Sequence, residues 1–415
     1  MLPYKVKGND VSTSATTPQV LRLANLKAVL SVMRANGAVT GTDLIEATGL
    51  TRATAIAVCD DLTARGWVRE LPGERLVGTT KGRPARRFEF NPAAGCVLGM
   101  DVGMATATAL VADLRGRTLA RVSERFDKPP ATAASRRATI KRVVASALTE
   151  AGLAPSAVLA AAIGVSTVVD RHGNVAAGHE LSEHFDIGLQ TEVFADYGWP
   201  VLLENDANLA ALAERWSGVG TGVDDLAVML AGERLGTGLI ESGRLLHGCN
   251  GGAGEVGTLE LVDGVGSQDG IARLARYWGN EALAAERPTL IRELVGPGTS
   301  RVSARFVFEA AARGDKVAQE ILERIGLRMA RVIAVLGTFF NPELVVIGGA
   351  VAASASALLP TITRELPRLT ATPPRVAVSE FGDAIVAAGA VRLALDYVEE
   401  HAMELVPADA VKSGH

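Results

Sequence analysis

One pattern occurs twice in this chain. Residues 97–117, V-L-G-M-D-V-G-M-A-T-A-T-A-L-V-A-D-L-R-G-R, read as strand, tight turn, strand, with Asp101 and Gly103 at the turn. Residues 226–244, L-A-V-M-L-A-G-E-R-L-G-T-G-L-I-E-S-G-R, repeat that plan, and each copy ends in a Gly-centred hairpin, R-G-R or E-S-G-R. A repeated hairpin followed by strands and helices predicts two homologous α/β halves with a ligand cleft between them. Around the hairpins the periodicity predicts helices over 134–151, 189–197, 303–312 and 317–336, and a closing helix from 385. Residues 159–169 read as strand and loop, and 343–347 as a buried strand running into Gly348 and Gly349.

Between the two copies lies V-L-L-E-N-D-A-N-L-A-A-L-A-E, residues 201–214. The apolar start suits a buried strand. Leu209, Leu212 and Ala213 repeat at helical spacing in an Ala-rich run. Glu204, Asn205, Asp206 and Asn208 therefore gather at a strand-to-helix corner, where open α/β sheets hold small ligands. Asn205 and Asp206 offer donors and acceptors suited to adjacent hydroxyls, as on a sugar ring. Asp206 also suits a general base toward a hydroxyl. The same corner satisfies a second rule, since Asp206 or Asn208 can simply cap the helix.

A second candidate is the Gly-rich stretch H-G-C-N-G-G-A-G-E-V-G-T, residues 247–258. Glycines let backbone approach a ligand closely, and Glu255 is the one acid among them. The alternative is a surface turn with a solvated Glu255.

Charge is uneven along the chain. Residues 1–90 carry 13 Lys/Arg and 8 Asp/Glu, whereas the rest carries 29 and 38, for a net of −4. A basic module meeting a polyanion, joined to an acidic body, is the expected reading. Residues 20–36 read as a helix ended by Gly37. Thr40 or Thr42 can cap a short helix reaching Thr48, Gly49 makes a turn, and a further helix spans 51–65 before a strand from Trp67. Two short helices on a Gly turn, followed by strands, describe a winged helix-turn-helix. Its second helix presents Thr51, Arg52 and Thr54 to the major groove, where Arg52 can grip a guanine edge or a phosphate. The segment K-G-R-P-A-R-R, residues 81–87, reads as an extended arm placing Arg83 and Arg86 in a minor groove, or equally as a solvated basic linker. The bland alternative for the whole module is a three-helix packing unit.

No apolar run reaches the ~18 residues that span a bilayer, and the N-terminus lacks the apolar core of a signal peptide. Cys59, Cys96 and Cys249 are isolated, which fits a reducing cytoplasm and no disulfide framework.

These motifs together resemble the ROK family (repressors, open reading frames and sugar kinases). The matching stretches are the D-V-G turn, E-N-D-A-N, G-x-x-x-G-x-G, G-G-A-G-E-V-G, N-P-E-L-V-V-I-G-G and G-D-A-I-V-A-A-G-A, in the family's order over ~95 to ~395. The upstream G-L-T-R-A-T and G-R-P-A resemble the repressor branch. The resemblance implies an actin-like, hexokinase-like body of two subdomains with sugar in the cleft. It implies that Asn205, Asp206 and Glu255 contact sugar hydroxyls, and that Asp206 is the base in a kinase. Thr258 stands where the family has a His that contacts sugar and binds zinc.

The sequence departs from the kinase pattern in three places. D-V-G-M-A-T replaces Asp-x-Gly-Gly-Thr, so Met104 and Ala105 stand where small residues let amides hold ATP phosphates. G-E-R-L-G replaces the second phosphate loop, and Glu233 brings negative charge toward a phosphate. G-V-S-T-V-V-D replaces G-x-P-G-x-V-D. Residues 262–270 have no Cys, so no structural zinc is expected, and no cofactor. The expected organisation is a loose segment over 1–17, a winged helix-turn-helix over 18–80, a basic linker over 81–94, the ROK body over 95–400 and a tail over 401–415. The expected function is a cytoplasmic DNA-binding regulator, a repressor of carbohydrate-related genes, working as a dimer or tetramer on operator DNA under a sugar effector. An ATP-dependent sugar kinase is the alternative.

Overall fold

The computed structural model describes residues 18–72, 85–127, 131–176, 182–256, 261–296 and 301–407. They form two compact units. One contains the described residues up to Ala94 together with those from Val398 onward, and the other is Gly95–Tyr397. No helix among the described residues is long and apolar enough to cross a membrane.

The first unit is a winged helix-turn-helix. Helix α1 (Pro18–Ala35) packs on α2 (Gly41–Thr48) and α3 (Arg52–Ala64) through Leu26, Val29, Leu30, Met33, Leu44, Val58, Cys59 and Leu62, all buried. Thr40 and Asp43 form a reciprocal capping box at the start of α2. Gly49 takes a left-handed conformation, φ +70°, which turns the chain between α2 and α3. The sheet has the order β1 (Val39–Thr40), β3 (Arg87–Phe90), β2 (Val68–Leu71). Residues 85–94, expected to end a linker, thus supply the central strand of the wing. Phe88 and Phe90 point inward and are buried, and this apolar alternation is what draws the segment into the sheet. Residues expected as a tail also pack here. Arg65 donates to the Met403 carbonyl and Ala402 is fully buried, while Glu399, just before the expected tail, pairs with Arg34.

The second unit realises the duplication. Its first sheet contains β4 (Cys96–Val102), β5 (Thr106–Asp113), β6 (Thr118–Arg125), β7 (Val158–Val165) and β8 (Val201–Asn205) in the order β6-β5-β4-β7-β8. The second contains β9 (Leu226–Leu230), β10 (Gly236–Glu241), β11 (Arg244–Leu245), β12 (Leu344–Gly348) and β13 (Arg375–Val378) in the order β11-β10-β9-β12-β13. In both, three antiparallel strands lead into two parallel ones. This is the actin-like, hexokinase-like body.

Helix α4 (Ala133–Ala151) covers the first sheet, and α5 (Asp206–Ser217) follows β8. The second half adds α6 (Ile271–Ala284), α7 (Ala304–Ala312), α8 (Lys316–Phe340), α9 (Leu359–Leu369) and the closing helix α10 (Ile385–His401). Helix α5 is held tightly on two sides. A Cβ on Gly238 of β10 would meet the Ala207 carbonyl oxygen at 2.1 Å, and one on Gly389 of α10 would meet that of Leu209 at 1.8 Å. The helix expected over 189–197 is instead a single π turn, Leu189–Val193, and a short 3-10 turn, Ala195–Tyr197. Gly188 and Gly198, both left-handed, bracket a segment too short to sustain an α-helix.

Candidate functional site

Strand register assembles the site. Val102 pairs with Val165, and Val165 with Asn205, so β4, β7 and β8 end level. Gly103, Ser166 and Asp206 follow directly, outside the carboxyl ends of three neighbouring parallel strands. The Ser166 hydroxyl donates to Asp206 Oδ2 (2.6 Å), and the Ala207 N–H donates to Oδ1 (2.8 Å). Burial raises the Asp206 carboxyl from 3.8 to about 6; these two hydrogen bonds oppose the rise and the Glu255 charge adds to it. Asp101, on β4, is pushed up to about 7 by burial first, then by the charges of Asp206 and Asp383. Asp101, Asp206 and Glu255 therefore share one electrostatic neighbourhood.

Asn205 has a different job from its neighbour. Its Oδ1 accepts from the N–H groups of Ala207 (2.9 Å) and Asn208 (3.2 Å), so Asn205 is the helix cap. Its Nδ2 donates to the Thr167 carbonyl (3.1 Å), which fixes the loop after β7. Capping falls on neither Asp206 nor Asn208, and the Asp206 carboxylate is held instead by Ser166 and the Ala207 N–H. Beneath it, the buried Glu204 accepts from the Asn205 N–H (2.7 Å) and Asn208 Nδ2 (2.9 Å) through Oε1. Its Oε2 lies 2.7 Å from His247 Nε2, and this contact raises the His247 pKa. Residues at the two ends of a 43-residue span thus join the strand-helix corner to the Gly-rich loop. That loop also presses on the loop after β7: Gly251, φ +80°, leaves no room for a Cβ beside the Val169 carbonyl. Glu255 is exposed, while Thr258 lies outside the described residues.

Sequence reasoning assigns Ser166 and His247 no role at the site, and places Glu204 at the corner and Asp101 at a turn without assigning either a function. Each sits inside or beside a quoted motif, but its partner is remote in the chain.

In the stretches that the resemblance sets against phosphate loops, several backbone groups are paired within the protein. The carbonyls of Gly103 and Met104 accept from Arg136 (3.0 and 3.2 Å), a buried guanidinium lying over the Phe126 ring. The Gly103 N–H donates to the Thr106 carbonyl (2.9 Å). In the second loop, Glu233 is paired through both oxygens with Arg276 of α6, so its charge is locally offset. The carbonyls of Ala231 and Gly232 accept from the first N–H groups of α6, Ile271 (2.7 Å) and Ala272 (3.0 Å). A helix N-terminus filled in this way does not offer those amides to a phosphate.

In the first unit, Thr51 caps α3, its hydroxyl accepting from the Thr54 N–H (3.2 Å) and lying 2.9 Å from the Thr54 hydroxyl. Arg52 is exposed beside it at the first turn. Arg86 is held by Glu70 (2.7 Å) and Asp60 (2.7 Å) and lies over the Phe88 ring, so any minor-groove contact competes with these ion pairs. Arg83 lies outside the described residues.

The ROK family model matches residues 97–397. The chain belongs to the ROK family. It is 26% identical to the xylose repressor of Caldicellulosiruptor bescii over 344 residues, covering 79% of this chain and 84% of that one. It is 32% identical to a glucokinase of Halalkalibacterium halodurans over 192 residues, covering 43% of this chain and 57% of that one. A solved ROK family transcriptional regulator, a homologue of the E. coli MLC protein, superposes with a TM-score of 0.74 at 21% identity, covering 92% of this chain and 98% of that one. ROK repressors and ROK kinases thus both stand among the relatives of this chain. That structure shares the fold of this chain through both units.

The zinc centre that the resemblance implies for the family does not fit these residues. Residues 262–270 contain neither Cys nor His. The loop is gathered instead by the buried Arg328 of α8, which donates to the carbonyls of Val265, Ser267 and Asp269. Arg331 holds the Gly264 carbonyl in the same way (3.0 Å).

Proposed function

We propose that this chain is a cytoplasmic, sequence-specific DNA-binding transcriptional regulator, a repressor of carbohydrate-related genes controlled by a sugar or sugar derivative. The observation that carries the reading is the winged helix-turn-helix, with Arg52 exposed at the start of its second helix, upstream of a ROK body. The similarity to the xylose repressor along most of both chains supports it. The effector sits between Asp206 and Glu255, which accept from its hydroxyls, and Thr258 contributes from the Gly-rich loop. Asn205 serves the same site mainly by fixing Asp206 and the loop after β7. Effector binding shifts DNA affinity by its differential affinity for two conformations of a homo-oligomer, dimer or tetramer.

Thr51 and Thr54 orient the first turn of α3, and Arg52 reads the operator. Arg83 and Arg86 add backbone or minor-groove contacts, Arg86 after releasing Glu70 and Asp60. The test is fluorescence anisotropy of the full chain on DNA from upstream of its own gene, at fixed salt, with a panel of monosaccharides and amino sugars. We expect tight binding that one sugar changes, and a loss of about tenfold or more in Arg52→Ala. Unchanged affinity in that variant would remove α3 as the recognition helix.

The retained Asp206, with a pKa near 6, favours a second reading as a sugar kinase, because a base poised near neutrality suits a hydroxyl nucleophile. Met104 and Ala105 in the first stretch, Glu233 in the second, and the pairing of the Gly103 N–H and the first α6 amides within the protein weigh against it, since phosphoryl transfer depends on positioning and charge stabilisation at the phosphates. A coupled ADP-release assay across common hexoses decides between them, and we expect no turnover.

A further inference from the structure

An open groove of about 620 Å³ is lined by Asp170, Arg171, His172, Asn174, Cys249 and Asn250. Its volume falls within the range of ~300–1,000 Å³ common for small-molecule sites. Both walls lead back to Asp206. One wall is the loop after β7, which touches Asp206 at Ser166 and Asn205 at Thr167 before reaching Arg171. The other is the Gly-rich loop, anchored to Glu204 at His247 and carrying Glu255. The walls are tied together where Arg171 donates to the Gly248 carbonyl (2.8 Å).

The charges in the groove are not balanced in their availability. The Asp170 carboxylate is turned into its own loop. Its Oδ1 accepts from the N–H groups of His172 (2.8 Å) and Asn174 (2.9 Å), and its Oδ2 from Asn174 Nδ2 (3.0 Å). Arg171 has no carboxylate partner among the described residues, and its one hydrogen bond leaves most of its five donors free. The groove therefore offers a positioned guanidinium, flanked by His172 and the Asn250 amide, to an incoming acceptor.

We propose that this groove is a second subsite that takes an anionic substituent of the effector, a phosphate ester or a carboxylate, with Arg171 as its charge partner. The assignment rests on the sugar-effector reading and sharpens it: the preferred effector is a sugar phosphate or sugar acid rather than a neutral sugar. Guanidinium fits both anions through paired N–H donors.

The test is isothermal titration calorimetry of the full chain with glucose, N-acetylglucosamine and xylose, the corresponding phosphate esters, and the uronic acids. The anionic member of one set should bind about tenfold or more tightly than its neutral parent. Arg171→Ala should remove that advantage, any loss from the untied Gly248 carbonyl falling equally on neutral and anionic members, while Arg171→Lys keeps part of the advantage. Phosphate esters and uronic acids in separate arms identify which anion is taken. Alkylation gives an independent readout, because Cys249 is exposed in the groove whereas Cys59 and Cys96 are buried. The anionic ligand should slow N-ethylmaleimide labelling of Cys249 in the wild type and not in Arg171→Ala. Equal affinity for neutral and anionic members, unchanged in Arg171→Ala, would overturn the subsite and leave the effector reading standing. Failure of every sugar, neutral or anionic, to bind the folded wild type would remove both.

Discussion

Replacing Asp206 by Asn should make the empty protein more stable while abolishing its response to effector. The folded-state carboxyl sits near 6, against 3.8 in an unperturbed chain, chiefly because it is buried. Each pKa unit corresponds to ~1.4 kcal/mol, so the ionised form costs the fold about 3 kcal/mol at neutral pH. Partial accessibility of the side chain and the charge-assisted bond from Ser166, which Asn keeps only in neutral form, reduce the expected gain to ~1–2 kcal/mol. In a body of this size that is a rise of about 2–4 °C in Tm.

The sign and the pH window follow from linkage. A carboxyl whose folded pKa is raised carries a cost that is absent below the unfolded pKa, grows as pH rises from about 4 to 6, and is complete above that. The Tm difference between Asp206→Asn and wild type should therefore be largest at pH 7.5 and shrink to roughly a third by pH 4.5. Differential scanning fluorimetry of both proteins across that range measures it. Comparison at equal pH removes the contribution of the other acids. A variant less stable than wild type at pH 7.5, or a difference that does not change with pH, would show that Asp206 is not held at the expense of the fold.

Asn205→Ala should lower stability by ~1–2 kcal/mol, through loss of the α5 cap and of the tie to Thr167, and should weaken effector binding as well; denaturant unfolding and calorimetry read the two effects. Arg328→Met should cost ~2–4 kcal/mol by leaving the carbonyls of Val265, Ser267 and Asp269 unpaired, a loss visible in thermal melts. Wild type should carry no stoichiometric zinc in metal analysis and keep its Tm in chelator. The His247 pKa lies above 6.5 because of Glu204, so the stabilisation from this pair is full below 6.5 and fades as pH rises through the folded value. An NMR titration should show the His247 pKa falling in Glu204→Gln, and an unchanged value would exclude Glu204 as the cause.

Local signals carried much of this fold. The corner at Asn205–Asp206 was readable because an apolar run, four polar residues and an Ala-rich helix follow one another within 14 residues. The duplicated hairpin was readable for the same reason, and so was the turn at Gly49 between two short helices. What escaped were pairings between residues far apart in sequence. Arg86 looked free in an extended arm, yet Glu70 and Asp60 hold it, and Phe88 draws the following segment into the wing. Glu233 looked like a bare negative charge until Arg276, 43 residues on, paired with it. Ser166 meets Asp206 over 40 residues, and Arg328 reaches carbonyls about 60 residues away. No periodicity or spacing in a single chain reports such contacts. The cap at Asn205 was a nearer miss, since Asn205, Asp206 and Asn208 each satisfied the local rule.

Under the proposed function, the carboxylates around Asp206 give the effector its leverage. Asp101 and Asp206 repel one another and both are partly withdrawn from water, so their ionised forms sit in unfavourable surroundings. A polyhydroxylated ligand donates hydrogen bonds to such groups without adding charge, and this relieves the conformation that brings Asp206 and Glu255 together more than one that separates them. That difference is the free energy available to bias the DNA-binding form. Protonation relieves the same repulsion. Acidification from pH 7.5 toward 6 should therefore mimic part of the effector's influence on operator affinity in wild type. Asp206→Asn, already neutral, should show a weaker pH dependence over that interval. Equal pH dependence in the two proteins would place the coupling outside this cluster of acids.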